Sequence, residues 1–371
     1  MGSVSTISRQ HCRRSQEEDS QRYRVYASFC GRNHAPNVNM SNWISCFNPS
    51  SNSWHRVASI PGLLENHVLK RFAMVGIGDW IYVIGGRHCL KYVAGEAGGS
   101  SVHEKELGVL GNVQKYNVVT NKWCKCKPLK TPRFNFACTV ADGKIYVAGG
   151  QTAVGSAEGT SSTEVYDPSL DEWKSLPNMN TMRYKCAGVT WQGKIHVVGG
   201  FAKSGHCDTL GPYIMERSSA DVYDPKLDKW DVVTRMWELD VPPYQIVNVD
   251  GNLFSSGDCL NAWKGHIEAY DGRLKIWNVV DGSMSPISTS DTAESNWPPT
   301  ERMYCTMAPI GTKLYFLAGY RMPGENSRCR NEVHVFDTAA NGGGWTCFEP
   351  IEEEGEKELC SHCCALKMMD S

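Results

Sequence analysis

Arginine residues at recurring places in the chain give its most direct indication of chemistry. Arg133, Arg183 and Arg302 each lead into a predicted inner strand of a repeated unit, and Lys70 or Arg71 lies near the same place in another copy. A guanidinium group presents a planar fork of N–H donors that can pair with a carboxylate or a phosphate through two parallel hydrogen bonds. The pattern therefore predicts a site for an anionic ligand if the fold brings these side chains together.

A second set of arginines, Arg32, Arg87 and Arg321, lies at or close to the end of the second strand of three units. Strands alternate in direction in a unit built from hairpins, so both sets of arginines should emerge on one face, at a mouth of a central channel. A local positive potential is expected there, although the net charge of the whole chain is −2. The aromatic residues that we expect near this mouth are Phe134, Tyr184, Phe201, Tyr244, Trp263, Tyr304 and Tyr320.

These arginines also have a structural interpretation. A buried guanidinium can donate to loop carbonyls and hold neighbouring units together. Two units depart from the pattern, since Ser361 and Val241 stand where the other units have arginine. The sequence leaves both roles open.

Metal and catalytic motifs give weaker signals. Cys124-Lys125-Cys126 and the cysteine- and histidine-containing segment 360–364 could supply zinc ligands, but they are far apart in sequence and lie on predicted strands. Segment 188–194 begins like a phosphate-binding loop, yet Ile195 replaces the required Ser or Thr. We expect no metal and no other cofactor. The 16 cysteines should be reduced, because the polar segment 1–22 lacks the apolar stretch of a signal peptide.

The elements that would position these residues form a repeat. A strand ending in two glycines occurs at Ile81–Gly86, Ile145–Gly150 and Ile195–Gly200, with weaker copies at Leu253–Asp258 and Leu314–Gly319. An aromatic residue then precedes a tryptophan by seven positions or slightly more, in the pairs Phe47/Trp54, Tyr116/Trp123, Tyr166/Trp173, Tyr223/Trp230, Tyr270/Trp277 and Phe336/Trp345. In the third unit we expect strands at about Phe134–Val140, Lys144–Gly149 and Thr163–Asp167, and a fourth near Trp173. A single unit of this kind cannot bury its aromatic residues, so neighbouring units must stack.

The double glycine, tyrosine and tryptophan at these relative places resemble the kelch family. The resemblance implies an all-β fold, a six-bladed kelch β-propeller with four-stranded blades, over residues 23–371. We expect residues 1–22 to form a disordered polar tail. Residues 23–54 supply three strands of the first blade, and Ser361–Leu366 near the C-terminus is predicted to add the fourth and close the ring. Long connections are expected at 87–112 and 282–300, on the face that carries the arginines.

The resemblance also implies a function. Kelch propellers that recruit substrates as adaptors use arginines at matching places to bind acidic segments of a partner, which here implies Arg133, Arg183, Arg302, Arg32 and Arg87. We expect a monomeric, non-catalytic interaction module in the cytoplasm or nucleus, which binds an acidic or phosphorylated segment of a protein partner as an adaptor or scaffold. Neither nucleic acid nor a membrane is an expected partner.

Two questions stay open at this stage. The alternative function is a propeller enzyme, or a protein that binds an anionic small metabolite, with the same central pocket as its site. Composition and loop style resemble plant F-box/kelch-repeat proteins, although the 22 residues ahead of the predicted propeller are too few for an F-box. The sequence therefore does not decide whether the chain joins a ubiquitin ligase.

Overall fold

The computed structural model describes residues 22–32, 39–94, 101–204, 217–239, 241–257, 267–281, 302–322, 328–339 and 344–368. The named elements within these ranges are all β-strands. The described residues contain no helix with the length and apolar character needed to cross a membrane.

The described residues form thirty β-strands, which pair with their neighbours in antiparallel fashion. The first ten are β1 (Tyr23–Gly31), β2 (Trp43–Asn48), β3 (Ser53–Ser59), β4 (His67–Lys70), β5 (Ala73–Ile77), β6 (Trp80–Ile84), β7 (Arg87–Ala94), β8 (Ser101–Val109), β9 (Val113–Asn117) and β10 (Lys122–Cys126). The next ten are β11 (Ala137–Ala141), β12 (Lys144–Ala148), β13 (Thr163–Asp167), β14 (Glu172–Leu176), β15 (Thr181–Tyr184), β16 (Ala187–Trp191), β17 (Lys194–Val198), β18 (Phe201–Ser204), β19 (Ala220–Asp224) and β20 (Lys229–Val233). The last ten are β21 (Ile246–Val249), β22 (Asn252–Ser255), β23 (Ile267–Asp271), β24 (Ile276–Asp281), β25 (Arg302–Ile310), β26 (Lys313–Arg321), β27 (Arg328–Asp337), β28 (Gly344–Cys347), β29 (Ile351–Glu354) and β30 (Lys357–Lys367).

Within the described residues these strands form six main antiparallel sheets, called blades 1 to 6 below. Their strand orders, in the same sequence, are β3-β2-β1-β30, β10-β9-β6-β5, β11-β12-β13-β14, β16-β17-β19-β20, β21-β22-β23-β24 and β25-β26-β27-β28. Strand β29 also pairs with β27. Two smaller sheets, β4-β7-β8 and β15-β18, extend blades 2 and 4. The predicted all-β fold with four-stranded kelch blades is confirmed.

The inner strands of the blades form a closed ring. Strands β30, β5, β11, β16, β21 and β25 each contact the next in this order, and β25 contacts β30. The C-terminal strand β30 pairs with β1, which confirms the predicted closure of blade 1. The predicted start and alignment of this strand were wrong. It begins at Lys357, and two register shifts place Ser361 opposite Ser28 and Cys364 opposite Tyr26.

Paired aromatic residues fill the space between blades in one recurring geometry. In each of the six pairs the aromatic residue lies directly across from its tryptophan in the neighbouring strand, as Tyr166 does from Trp173. The ring centroids of the pairs lie 5.0 to 5.4 Å apart. The indole N–H of Trp173 donates to the carbonyl of Lys127, in the connection that follows the preceding blade, at 2.9 Å. The apolar core therefore lies between blades, because the aromatic pair of one blade packs on the preceding sheet, as Tyr166 and Trp173 do on blade 2.

The first glycine of each pair is required where the inner strand of the next blade passes close by. Gly85 and Gly149 have φ of 62° and 69°. A Cβ atom on Gly85 would lie 2.6 Å from the carbonyl oxygen of Arg133, and one on Gly149 would lie 2.7 Å from that of Arg183. The second glycine donates its N–H to the same carbonyls, from Gly86 at 2.9 Å and from Gly150 at 2.8 Å. Only glycine allows this approach without strain.

The side chains of the two arginines are buried within their own blades. Arg133 has no exposed surface and uses all five N–H donors, on the carbonyls of Thr131, Gly149 and Ser162, the Ser162 hydroxyl and the Glu164 carboxylate. Its distance to Glu164 is 2.8 Å. Arg183 repeats the arrangement on Asp221 at 2.7 Å, the Gly199 carbonyl at 3.0 Å and the Ser219 hydroxyl. Each arginine thus joins two blades, with its backbone on one and its side chain on the other.

The predicted long loop at 87–112 was wrong. Residues 87–94 and 101–109 form the hairpin β7–β8, which pairs with β4. The second predicted long connection, 282–300, lies outside the described residues.

Deleting residues 357–371 should destabilise the chain and promote self-association. The deletion removes β30 and leaves the hydrogen-bonding edge of β1 unpaired. Thermal melting and size-exclusion chromatography measure both effects. Deleting only residues 369–371, which lie beyond β30, is the control. Equal melting temperatures for the long and short deletions would contradict the closure by β30.

Replacing Arg133 by Ala should lower the free energy of unfolding by about 3–5 kcal/mol, because Glu164 would be left as an uncompensated buried charge. Lys127→Ala is the matched control. Lys127 pairs with Glu172 at 3.3 Å, but the two side chains are 58% and 61% exposed, so the cost should be about 0–1 kcal/mol. Chemical denaturation of both variants measures the difference. Similar small losses would show that the buried pair does not hold the blades.

Candidate functional site

The mouth of the channel is framed by residues that continue the hydrogen bonding from blade to blade. Arg71, Asn135 and Lys185 lie two residues before their inner strands, and all three have left-handed backbones with φ of 56°, 55° and 53°. The N–H of Arg71 donates to Cys360 at 2.9 Å, that of Asn135 to Arg71 at 3.1 Å and that of Lys185 to Asn135 at 2.7 Å. This chain of bonds fixes the backbone positions from which two exposed cationic side chains, Arg71 and Lys185, extend.

Four polar residues from different blades come together at this mouth. The rings of Tyr244 and His362 pack edge to face at 5.0 Å. Burial and then the nearby positive charge of Arg71 lower the pKa of His362 to about 4, so this ring is neutral at pH 7. Burial raises the pKa of Tyr244, whereas Arg71 and Arg302 act in the opposite direction. Two guanidinium groups, those of Arg71 and Arg302, therefore act on this aromatic pair.

Other cations near the mouth are paired with carboxylates. Lys70 contacts Glu358 at 2.8 Å and also pairs with Glu104. Arg87 pairs with Glu106 and lies 3.4 Å from Glu104, and its guanidinium lies 5.7 Å from the centre of the Phe134 ring. The buried Lys91 also pairs with Glu358, and Lys70 and Lys91 hold the pKa of Glu358 down at about 2 against the opposing effect of its burial. This side of the predicted basic funnel is largely neutralised.

Arg321 and Arg32 lie beside Glu356. Arg321 pairs with the Glu356 carboxylate at 2.7 Å, and the backbone N–H of Arg32 donates to the Glu356 carbonyl at 2.9 Å. Both arginine side chains are partly buried. These two predicted residues are therefore close together, and the Arg321 guanidinium is already paired with an acidic residue of the chain.

The burial of Arg133 and Arg183 favours the structural role that the sequence left open for them. Arg302 occupies the corresponding place in blade 6, yet its side chain is only half-buried. The difference follows from the partner on the third strand of the blade. Glu164 and Asp221 stand two residues before the paired tyrosine, whereas the same position in blade 6 is His334. That acidic residue is the sequence signal that separates the buried arginines from Arg302, and the sequence interpretation missed it.

A basic and aromatic patch extends from the mouth over blade 4. The Lys185 ammonium and the Arg217 guanidinium lie 5.5 Å and 5.3 Å from the centre of the Phe201 ring. Tyr184 packs against Phe201 with ring centroids 5.1 Å apart. Cations are attracted to the face of an aromatic ring, so the ring holds both of them near the surface. Lys185 and Arg217 were not predicted from the sequence, because neither belongs to the arginine pattern.

The remaining predicted residues are dispersed. Tyr304 is buried and donates to the Asn331 side chain, so it is not available at the surface. Tyr320 is half-buried on β26, close enough to Arg302 for its pKa to respond to that charge. Trp263 lies outside the described residues.

The residue predicted to lead into the inner strand was wrong in blade 1, whereas Lys70 and Arg71 lie near that place in blade 2, as expected. The blade-to-blade hydrogen bonds match Arg71 with Asn135, so Leu69 takes the place of Arg133 in blade 2. In blade 1 the same bonds put Glu358 there instead of Ser361. The register of β21 puts Val241 at this place in blade 5, as the sequence predicted, and Pro242 follows it.

The cysteine and histidine clusters do not form a metal site within the described ranges. No group of three or more His, Cys, Asp or Glu side chains there has an arrangement that could hold a metal ion. Cys124 and Cys126 lie on the outer strand β10, whereas the cluster at 360–364 lies on the inner strand β30. The two sets of potential ligands are thus at opposite edges of their blades.

Comparison with known proteins agrees with the repeat. The sequence profile of the Kelch motif matches residues 132–180. An F-box/kelch-repeat protein of Arabidopsis thaliana is 27% identical over 293 residues, which cover 79% of this chain and 65% of that protein. Kelch-like protein 21 of Mus musculus is 25% identical over 277 residues, which cover 64% of this chain and 40% of the relative. Kelch-like protein terF of Aspergillus terreus is 32% identical over 120 residues, covering 31% of this chain and 24% of the relative.

The chain therefore matches less than two thirds of the length of these relatives. The matched part includes the glycine pair of Gly149 and Gly150 and the aromatic pair of Tyr166 and Trp173. The two glycines contact the following blade, and the two aromatic residues pack on the preceding blade. The repeat, the four-stranded sheets and the match of residues 132–180 to the Kelch motif together show that this chain carries kelch repeats.

Proposed function

We propose that this chain is a non-catalytic protein-interaction module whose channel mouth binds an acidic or phosphorylated segment of a partner protein. The observation that carries the proposal is the exposure of Arg71 and Lys185 on a backbone fixed by blade-to-blade hydrogen bonds. A guanidinium and an ammonium on a rigid frame can pair with carboxylates or phosphates at little cost in ordering the protein.

The distribution of charge favours an extended ligand. Arg71 and Arg302 act on the aromatic pair at the mouth, and Lys185 and Arg217 lie against Phe201 on blade 4. A segment of chain can contact both places in succession, with acidic groups on the cations and apolar groups on the rings. A compact metabolite would contact one of them.

The acid–base groups at the mouth are poorly suited to catalysis. His362 is neutral at pH 7 with its pKa lowered to about 4, so it is a weak base. The Tyr244 hydroxyl donates to the Cys305 carbonyl at 2.6 Å, and burial raises its pKa. Neither group is poised for proton transfer near neutral pH, which supports binding over an enzymatic role for this site.

An adaptor that recruits its protein partner, or a scaffold that holds it, would use a binding site of this kind. Kelch propellers used as adaptors bind their partners at the mouth of the channel, and the kelch repeats of this chain extend that possibility to it. We propose the adaptor or scaffold role on this basis, with a location in the cytoplasm or nucleus.

The proposed site predicts that short acidic and phosphorylated peptides bind better than neutral peptides of matched sequence. The double change Arg71→Ala and Lys185→Ala should weaken binding by about 1–3 kcal/mol for each charge-assisted hydrogen bond lost. Fluorescence anisotropy with labelled peptide libraries measures the loss. Affinity should also fall as salt rises, because exposed charges are screened over about 8 Å at physiological ionic strength.

Lys174→Ala is the matched control, since this lysine is exposed on the outer strand β14, away from the mouth. It should leave binding unchanged. All variants should melt like the original chain, because none of the replaced side chains is buried. Equal affinity of the double variant and the original chain would place the partner site elsewhere.

A further inference from the structure

In blades 2, 3 and 4 a tyrosine in the third strand makes the same side-chain hydrogen bond. The hydroxyl donates to an acceptor five residues later, from Tyr116 to Asn121 at 2.7 Å and from Tyr166 to Asp171 at 2.7 Å. Tyr223 donates to Asp228 in the same way at 2.5 Å. The three acceptors have left-handed backbones, with φ of 56°, 50° and 52°. The turn between the third and fourth strands therefore places an oxygen acceptor at the tyrosine hydroxyl.

Blade 5 keeps the tyrosine and the turn but lacks the acceptor. Lys275 has φ of 57°, and its N–H donates to the Asp271 carbonyl at 2.7 Å, as that of Asn121 donates to Asn117 at 3.0 Å. The lysine ammonium has donors only. In the described part of the chain, no acceptor lies within hydrogen-bond distance of the Tyr270 hydroxyl. The position that holds a carboxylate in blades 3 and 4 holds a cation here.

This change lies in a groove of the described structure. The groove has a volume of about 720 Å³ and lies between blades 4 and 5, on the face opposite the mouth. Trp191 forms one wall, with its ring edge to face against Tyr270 at 5.9 Å and its indole N–H on the Gly251 carbonyl at 2.6 Å. Gly272 allows this placement, because a Cβ atom there would lie 3.1 Å from the indole. Val233, which is half-buried, adds apolar surface.

The groove presents positive charge and hydrogen-bond donors. Arg273 and Lys275 are exposed at its edge. Burial and the neighbouring Asp271 carboxylate raise the pKa of Tyr270, so its hydroxyl stays protonated at neutral pH. His196 is neutral there because burial lowers its pKa to about 4.

Asp271 is the one carboxylate that lines the groove within the described residues, and it is already bound. It accepts the N–H groups of Arg273 at 2.8 Å and Leu274 at 3.0 Å. The same turn in blade 4 holds Asp224 and Asp228 together, so this geometry accommodates a second carboxylate.

We propose that this groove binds a small carboxylate carried on an aromatic or apolar body. The carboxylate takes the place that Asp228 has in blade 4, where it accepts the Tyr270 hydroxyl and pairs with Lys275 or Arg273. The apolar body lies against Trp191 and Val233. A site of this size, mostly apolar with a few convergent polar groups, suits a small ligand. It is separate from the mouth and independent of the protein-binding proposal.

The test compares phenylacetate and 3-phenylpropionate with phenylacetamide, which has the same ring but no charge. Ligand-observed NMR and calorimetry on the full chain should show binding of the acids, and the amide should bind about tenfold or more weakly. Equal binding of acid and amide, or no binding of either acid at millimolar concentration, would overturn the proposal.

Lys275→Asp restores the acceptor of the repeat and is the decisive variant. It should raise the melting temperature, through a new bond to Tyr270, and abolish binding of the acids. Tyr270→Phe should weaken binding with little change in melting. Tyr223→Phe is the matched control in blade 4, where loss of the bond to Asp228 should lower the melting temperature and leave binding intact. Binding by Lys275→Asp as strong as that of the original chain would refute the site.

A second arm distinguishes a free small acid from an acidic side chain of a protein. An acetylated and amidated tripeptide with a central glutamate between apolar residues carries the same carboxylate on a peptide. We expect the tripeptide to bind more weakly than 3-phenylpropionate. The groove is bounded by Trp191, by the turn that contains Gly251 and by the turn at residues 271–275, which leaves little room for a peptide backbone. Tighter binding of the tripeptide would assign the groove to a protein partner and overturn the small-ligand proposal.

Discussion

A buried guanidinium that belongs to two blades at once sets the geometry of this propeller. The carbonyl of Arg133 accepts the N–H of Gly86 in blade 2, while its side chain satisfies two loop carbonyls, a serine hydroxyl and Glu164 in blade 3. A charge with no exposed surface is tolerated only because every donor is matched. Displacing one blade would break several of these bonds together, so the relative position of the blades is closely constrained.

The mouth inherits its shape from this arrangement. Two residues after Arg133 and Arg183, the chain takes a left-handed turn at Asn135 and Lys185, and the backbone bonds of these residues continue from blade to blade. The buried Arg133 and Arg183 therefore fix the backbone from which an exposed cation such as Lys185 extends toward a ligand. The same residue type performs both tasks, and the partner available on the third strand decides which: Glu164 in blade 3 and Asp221 in blade 4 bury their arginines, whereas His334 in blade 6 leaves Arg302 half-exposed.

The repeat tolerates functional change wherever the aromatic packing survives. Blade 5 has Val241 in place of the buried arginine and Lys275 in place of the acceptor for Tyr270, yet the ring centroids of Tyr270 and Trp277 lie 5.2 Å apart, close to the other blades. The burial of paired aromatic rings supplies most of the contact between blades. Polar positions at the ends of the strands can then diverge, and each divergence leaves a different group at the mouth or on the opposite face.

The sequence by itself determined the features that each repeat requires locally. The glycine pairs, the aromatic pairs and the alternation of short strands predicted the kelch fold and the closure by the C-terminal strand, and strand β13 has the predicted limits, Thr163–Asp167. Only the tertiary structure decided which cations are buried, because Arg133 and Glu164 lie 31 residues apart and the contact depends on how the strands align. It also decided the register of β30, where two shifts move Ser361 away from its predicted place. Local patterns identify a strand, but the charge left at a surface depends on which distant side chain packs beside it.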